Sequence, residues 1–175
     1  MKQYCLKALL CLSMSFIIIQ SNAQTDVDAI MMSKNNFCGG LMYTNSKWDY
    51  YWEGTLRRNN QNIGTVSTQM VGIMGNYGLK DNLNILFSLP YITTKASAGT
   101  LDGQKGLQDF SLMVKWMPIE KEIGKGTFSL YTLGGISTPA SNYVADFLPL
   151  SIGLRSTMAT ARLMVDYQVK NLFIT

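Results

Sequence analysis

The chain has 175 residues and carries 15 Lys and Arg against 11 Asp and Glu, so it is about one domain's worth of sequence with a net charge of only +4, and nothing in that balance suggests nucleic acid. It contains no histidine. That excludes a Ser-His-Asp triad, a His-assisted phospholipase or acyltransferase site, and the common His-based metal sites, and no enzyme activity, cofactor or metal is expected.

In chain order, the first element is a removable address. Residues 1–7 form a basic head with Lys2 and Lys7, residues 8–19 are mostly apolar, and Ser21-Asn22-Ala23 places small residues where a signal peptidase reads them. The apolar run is shorter than the roughly 20 residues of a membrane-spanning helix. A signal peptide over 1–23 is therefore expected, with a buried N-terminal helix as the competing reading. Its removal lowers the net charge from +4 to +2 and takes away Cys5 and Cys11, leaving Cys38 as a lone thiol with no disulfide framework. Export without disulfides suits a bacterial envelope. Residues 24–36 are polar apart from Met31 and Met32 and are expected to be a periplasmic lead-in.

From Phe37 onward the two-residue period of β-strands takes over. Phe37, Gly39, Leu41 and Tyr43 share one parity, which changes near Asn45 before Trp48, Tyr50 and Trp52, predicting a bulge or a break there. Residues 54–62, with Arg57, Arg58 and four side-chain amides, predict a loop. The stretch 65–91 predicts the central hairpin. In its second arm Leu83, Ile85, Phe87, Leu89 and Tyr91 alternate with Asn84, Leu86, Ser88 and Pro90, and Gly78, Lys80, Asp81 and Asn82 allow the reversal. Further strands are expected over 109–116 and 159–169, with weaker ones over 127–136 and 150–155. No other window prefers helical spacing, so residues 37–175 are expected to be all-β and antiparallel.

The connections suggest where such a sheet lives. Those over 54–62, 92–108 and 137–149 are long and rich in Gly, Ser, Thr, Asn or Pro, whereas those over 78–82, 118–126 and 156–158 are shorter. Short turns on one rim and long loops on the other are the pattern of an up-and-down transmembrane β-barrel in a bacterial outer membrane. A soluble barrel or sandwich with the same stripes buried inside remains open, because alternation reads identically with inside and outside exchanged. The low charged content, and Asp109, Lys115, Arg162, Asp166 and Gln168 on the polar parities, favour the membrane form. Residues 172–175 open a strand without a terminal aromatic, so a barrel incomplete at the C-terminus, a fragment, is expected.

A resemblance to a known family adds to this reading. The stretches GGLMYTNSKWDYYWEGTLRRNNQNIGTVSTQ, MGNYGLKDNLNILFSLPYI, KASAGTLDGQKGLQDFSLMVKW and NYVADFLPLSIGLRSTMATARLMVDYQ resemble outer-membrane proteins of the transporter-like family named for the MetA pathway of phenol degradation, in its Bacteroidetes form. Gly75-Asn76-Tyr77-Gly78, Pro90-Tyr91 and Gly106-Leu107-Gln108-Asp109 are its most telling pieces, while Arg155 stands where the family usually has a small residue after Gly153-Leu154. The resemblance implies a porin-like barrel that passes small hydrophobic or aromatic solutes, with outer-membrane lipid as its surroundings.

Within that frame Asp109, Lys115, Arg162 and Asp166 are candidate lumen-facing residues, with Asp109 near Lys115 and Arg162 near Asp166 as a charge network for solute passage or for structural pairing. Met113, Tyr131 and Met164 would add apolar lumen surface. Gly99, Gly103 and Gly106 mark the loop 92–108 as a candidate entrance gate. Its Gly-rich piece lacks the Gly-Lys-Ser/Thr ending of a phosphate-binding loop, and Cys38 has no imidazole to activate it. The alternative function is a structural or surface-interaction protein with a filled lumen, whose loops around Trp48, Tyr50, Tyr51 and Trp52 contact a partner.

Overall fold

The computed structural model describes residues 28–175, so the signal peptide expected over 1–23 and the first part of the lead-in, 24–27, lie outside the described residues. Ten strands follow: β1 (Phe37–Trp48), β2 (Tyr50–Glu53), β3 (Leu56–Asn59), β4 (Val66–Lys80), β5 (Leu83–Ala96), β6 (Lys105–Leu107), β7 (Asp109–Ile123), β8 (Gly126–Pro139), β9 (Met158–Val169) and β10 (Leu172–Ile174). Seven of them make one antiparallel sheet in the order β1-β4-β5-β7-β8-β9-β10, with β6 paired onto β5 and β2-β3 a separate ribbon. The sheet is strongly curled into a half-barrel. Its outer edges, β1 and the β9-β10 side, do not pair with each other.

The central hairpin forms as its pattern predicts and extends further. Backbone pairing runs from Val66 opposite Ala96 to Gly78 opposite Asn84, with one bulge before Lys80 and the reversal at Asp81-Asn82. Two other reversals on the same rim are equally tight, at Gly124-Lys125 between β7 and β8 and at Lys170-Asn171 between β9 and β10. The opposite rim carries the long connections 49–65, 97–108 and 140–157. The contrast between the rims is therefore real, although its details depart from expectation at four places.

Strand β1 passes through Asn45 in unbroken register with β4, and the break falls at Asp49. Residues 54–62 are not all loop, because Arg57 lies over the Tyr50 ring at 4.1 Å and the Arg58 Nε donates to the Glu53 carboxylate at 2.6 Å, cross-strand pairs that hold β3 against β2. The connection expected over 118–126 is mostly strand: β7 absorbs a bulge between Trp116 and Ile119 and continues to Ile123. Residues 150–155 form no strand. Their alternation instead buries Leu150 and Ile152 beneath the irregular segment 140–157, a packing demand that produces the same period of two.

Register assigns every side chain to a face: one presents exposed large apolar side chains, and the other buries polar residues alongside the apolar Leu86, Ile92, Tyr131, Leu133 and Met164. The convex face presents Leu41, Tyr43, Val71, Ile73, Leu112, Val114, Trp116, Leu163 and Val165, all exposed. On this face Phe37 and Phe87 also stack, with ring centroids 6.5 Å apart. The concave face carries the buried polar residues Asn76, Asn84, Thr94, Lys115, Ser129 and Asp166.

Residues 28–36 cross this concave face as a strap. The closest approach is at Gly78, whose N–H donates to the Asn36 carbonyl at 3.0 Å while its own carbonyl accepts from Asn35 N at 2.8 Å. A Cβ on Gly78 would collide with the carbonyls of Met32 and Ser33, which is backbone that cannot swing aside. Gly78→Ala is expected to lift the strap and cost about 1–3 kcal/mol, the range for overpacking a filled site. Faster proteolysis within 28–36 at unchanged strand content by circular dichroism is the expected readout, and an unaltered cleavage rate would contradict it.

Candidate functional site

The site on the concave face is built from the start of β5 and the middles of β7, β8 and β9, where the pleat turns every second side chain inward. At its centre is Lys115, 0 % exposed, whose Nζ donates to the Asp28 carboxylate at 3.0 Å and to the backbone carbonyls of Asp28 at 2.9 Å and Ile30 at 3.4 Å. A buried ammonium needs both an opposite charge and hydrogen-bond acceptors to offset its lost hydration, and the strap provides both.

Two neighbours read the strap's backbone as well. The Tyr131 hydroxyl donates to the Ala29 carbonyl at 2.8 Å. Asn84, 0 % exposed, satisfies the Met32 peptide with its side-chain amide in the orientation where nitrogen donates to Met32 O at 3.0 Å and oxygen accepts from Met32 N at 2.6 Å. Beside these polar anchors, Tyr131, Leu133 and Met164 form an apolar cluster against which Ala29, Met31 and Met117 pack. The strap thus occupies a surface with one cation, two neutral hydrogen-bonding groups and an apolar patch.

Toward the long-loop rim, segment 140–157 folds onto the same face. Tyr143 and Ile152 pack on Ile92 with Met70 beside them, and Thr94 Oγ1 donates to the Leu150 carbonyl at 2.6 Å. The Tyr143 hydroxyl donates to Asp109 at 2.6 Å and accepts from the Arg155 N–H at 2.8 Å. Arg155, at φ 51°, also reaches Asn142 with its guanidinium at 2.6 Å, so this residue belongs to the latch and not to a strand.

Burial, and after it the hydrogen bond to the Asp109 carboxylate, push the Tyr143 phenol above its ordinary value of 10.0. The neutral phenol is the form that fits. Its stabilising effect is complete below the unfolded value of 10.0 and is lost as pH rises beyond that through the higher folded value. Proteolysis within 140–157 is expected to accelerate as pH is raised past 10, and Tyr143→Phe should abolish that alkaline step while weakening the latch at neutral pH by about 1–3 kcal/mol, the worth of the two hydrogen bonds its hydroxyl makes. An alkaline step of equal size in the Phe variant would assign it elsewhere.

The four expected lumen residues lie on the concave parity, and three of them engage partners other than those of the expected network. Six residues of strand, about 20 Å, separate Asp109 from Lys115, and four, about 13 Å, separate Arg162 from Asp166. Such spans exceed the reach of an ion pair. Lys115 instead engages Asp28, Asp109 engages Tyr143, and Asp166 accepts from Thr175 Oγ1 at 2.6 Å, while Arg162 is exposed. Met164 and Tyr131, expected as open lumen surface, are covered by the strap. Of the residues the sequence reading did not single out, Asn84 had a weak signal as a lone amide in an apolar arm, and Asp28 had none.

The three glycines of the expected gate are held in place by their surroundings. Strand β5 runs to Ala96 and β6 pairs back onto it, so the connection proper is shorter than 92–108. Gln104 clips both sides of it, its N–H donating to Thr94 Oγ1 at 2.9 Å and its side-chain amide exchanging two 2.9 Å bonds with the Val144 backbone. A Cβ at Gly103 would strike the Thr94 carbonyl, Gly106 sits within β6, and Gly99 takes φ 81° in the turn. Close approach and turn geometry account for them.

An apolar depression lined by Leu83, Val114, Trp116, Thr132, Leu133 and Gly134 opens toward the convex face. Comparison of the chain with protein-family models, with curated proteins and with solved structures found no match.

Proposed function

We propose that the chain forms wall of a β-barrel in a bacterial outer membrane, and that the barrel is a passive route for small hydrophobic or aromatic solutes. The observation that carries this reading is the exposure of large apolar side chains over the convex face, while the charged and amide groups Asn76, Asn84, Lys115 and Asp166 are buried on the concave one. Water outside would penalise such a surface, whereas hydrocarbon outside favours it. Strand length supports the same reading. The 14 and 15 residues of β4, β5, β7 and β8 rise about 45–50 Å, enough to cross an apolar band of about 25 Å at a tilt near 40° with a rim left over on each side. The two-residue turns on one rim and long connections on the other agree with it. The two free sheet edges need strand partners before the wall is closed.

The solute class follows from the concave face, where hydrogen-bonding groups adjoin the apolar cluster of Tyr131, Leu133 and Met164, together with the resemblance to the transporter-like family. No step of such passage needs acid-base chemistry. A second reading, a structural barrel with a filled interior, is favoured by one specific observation: the strap and segment 140–157 both lie on the concave face. Permeation decides between them. Full-length protein in liposomes should admit small aromatic solutes faster than empty liposomes, and faster again with residues 28–32 deleted. Flux no higher than that of empty liposomes in both forms would leave the structural reading in place.

A further inference from the structure

The strap is bound the way a ligand is bound, and its chemistry describes the ligand. Its anionic end is the Asp28 carboxylate, 3.0 Å from a Lys115 ammonium that is wholly buried. Its apolar part is Ala29 and Met31, seated on a cluster of Leu133, directly opposite Lys115, with Tyr131 and Met164 one inward-facing pair further along the sheet. Between them, the Tyr131 hydroxyl donates to a carbonyl. We propose that this surface is a binding site for small amphipathic acids, an aromatic or aliphatic body bearing one carboxylate, and that residues 28–32 occupy it as an internal mimic which such a ligand displaces.

The proposal rests on reading the concave face as a solute path and adds selectivity to it. A neutral aromatic can use only the apolar cluster and the Tyr131 hydroxyl. A carboxylate can also take the place of Asp28 on Lys115, restoring the charge pairing that a buried ammonium requires. Because strap and ligand compete for one set of groups, the apparent affinity for the ligand is reduced by the fraction of molecules whose strap is seated. Weakening the strap's anion should therefore raise affinity for both classes by the same open-fraction factor, and raise it further for carboxylates, which alone replace the lost charge on Lys115. The strap's two other bonds to Lys115, through the carbonyls of Asp28 and Ile30, survive that change and hold the site in register.

The test is calorimetric binding of benzoate and of benzyl alcohol to the full-length protein in detergent micelles, comparing the native chain with Asp28→Asn, Lys115→Met and Lys115→Arg. Asp28→Asn is expected to bind benzoate roughly tenfold more tightly than the native chain, while benzyl alcohol gains only the open-fraction factor of about twofold, since it cannot replace the lost charge on Lys115. Lys115→Met should lose the preference for benzoate, and Lys115→Arg should keep it. Equal gains for both solutes in Asp28→Asn, or a benzoate preference that survives in Lys115→Met, would overturn the proposal. Should Lys115→Met fail to assemble, the Asp28→Asn comparison decides alone. Binding is scored without a membrane potential or a flux. Benzoate selectivity without permeation would sink the solute-route reading and keep this site, and permeation with no carboxylate preference in any form would do the opposite.

Discussion

Val114→Arg is expected to destabilise the inserted protein by about 2–4 kcal/mol, while Ser111→Arg, three residues away on the same strand, should cost far less. Val114 lies on the convex face opposite Ile85 and Gly134, and Ser111 on the concave face opposite Ser88 and Ser137. In hydrocarbon the guanidinium at 114 loses its hydration with no partner, whereas at 111 it meets hydroxyls. Phe87→Arg should cost at least as much, since it also removes the stack on Phe37, and Ser88→Arg should behave like Ser111→Arg. In water the order reverses: an exposed Val114 would accept arginine within about 0.5 kcal/mol, and the half-buried Ser111 would be the harmful site. Urea unfolding of the four variants in lipid vesicles and in detergent-free buffer measures that order, and the water order observed in vesicles would refute a lipid-facing convex surface.

The second large effect is expected at the buried cation. Asp28→Ala removes the carboxylate that pairs with the wholly buried Lys115 ammonium, a change of the kind that costs about 3–5 kcal/mol. The two backbone carbonyls that still accept from Lys115 place the expected value at the lower end of that range. Removing the charge as well should recover most of the loss, because Lys115→Met fills similar volume beside Leu133 and leaves nothing to desolvate. The double variant Asp28→Ala with Lys115→Met is accordingly predicted to be more stable than Asp28→Ala alone. Thermal unfolding of the single and double variants supplies the cycle. Additive losses would mean that the pair does not interact, and the strap would then be held by its backbone bonds to Tyr131, Asn84 and Gly78.

Much of the strand framework was legible in the residue pattern because a strand's faces follow directly from a period of two. The arms around Asp81-Asn82 alternate strongly enough to set both their existence and their pairing, and the same is true of residues 109–116 and 159–169. Alternation also announced which parity is apolar at Leu112, Val114, Leu163 and Val165. It misled at 150–155, where Leu150 and Ile152 alternate because both are buried, Ile152 against Tyr143 and Ile92, since a single buried turn of irregular chain and a half-buried strand make the same local demand.

The sequence by itself determined an all-β, antiparallel chain with a tight-turn rim and a long-connection rim, because periodicity and turn chemistry act over a few neighbouring residues. Only the tertiary structure decided what those strands enclose. Asp28 meets Lys115 across 87 residues, Ala29 meets Tyr131 across 102, and Tyr143 meets Asp109 across 34. No local pattern encodes such partners: the polar parity of a strand states that a side chain turns inward, and the curl of the sheet with the path of the strap chooses what it finds there. Charges on one face of a single strand looked like natural partners in sequence, yet the rise of the strand holds Asp109 and Lys115 about 20 Å apart, so each had to be satisfied from a segment far away in the chain.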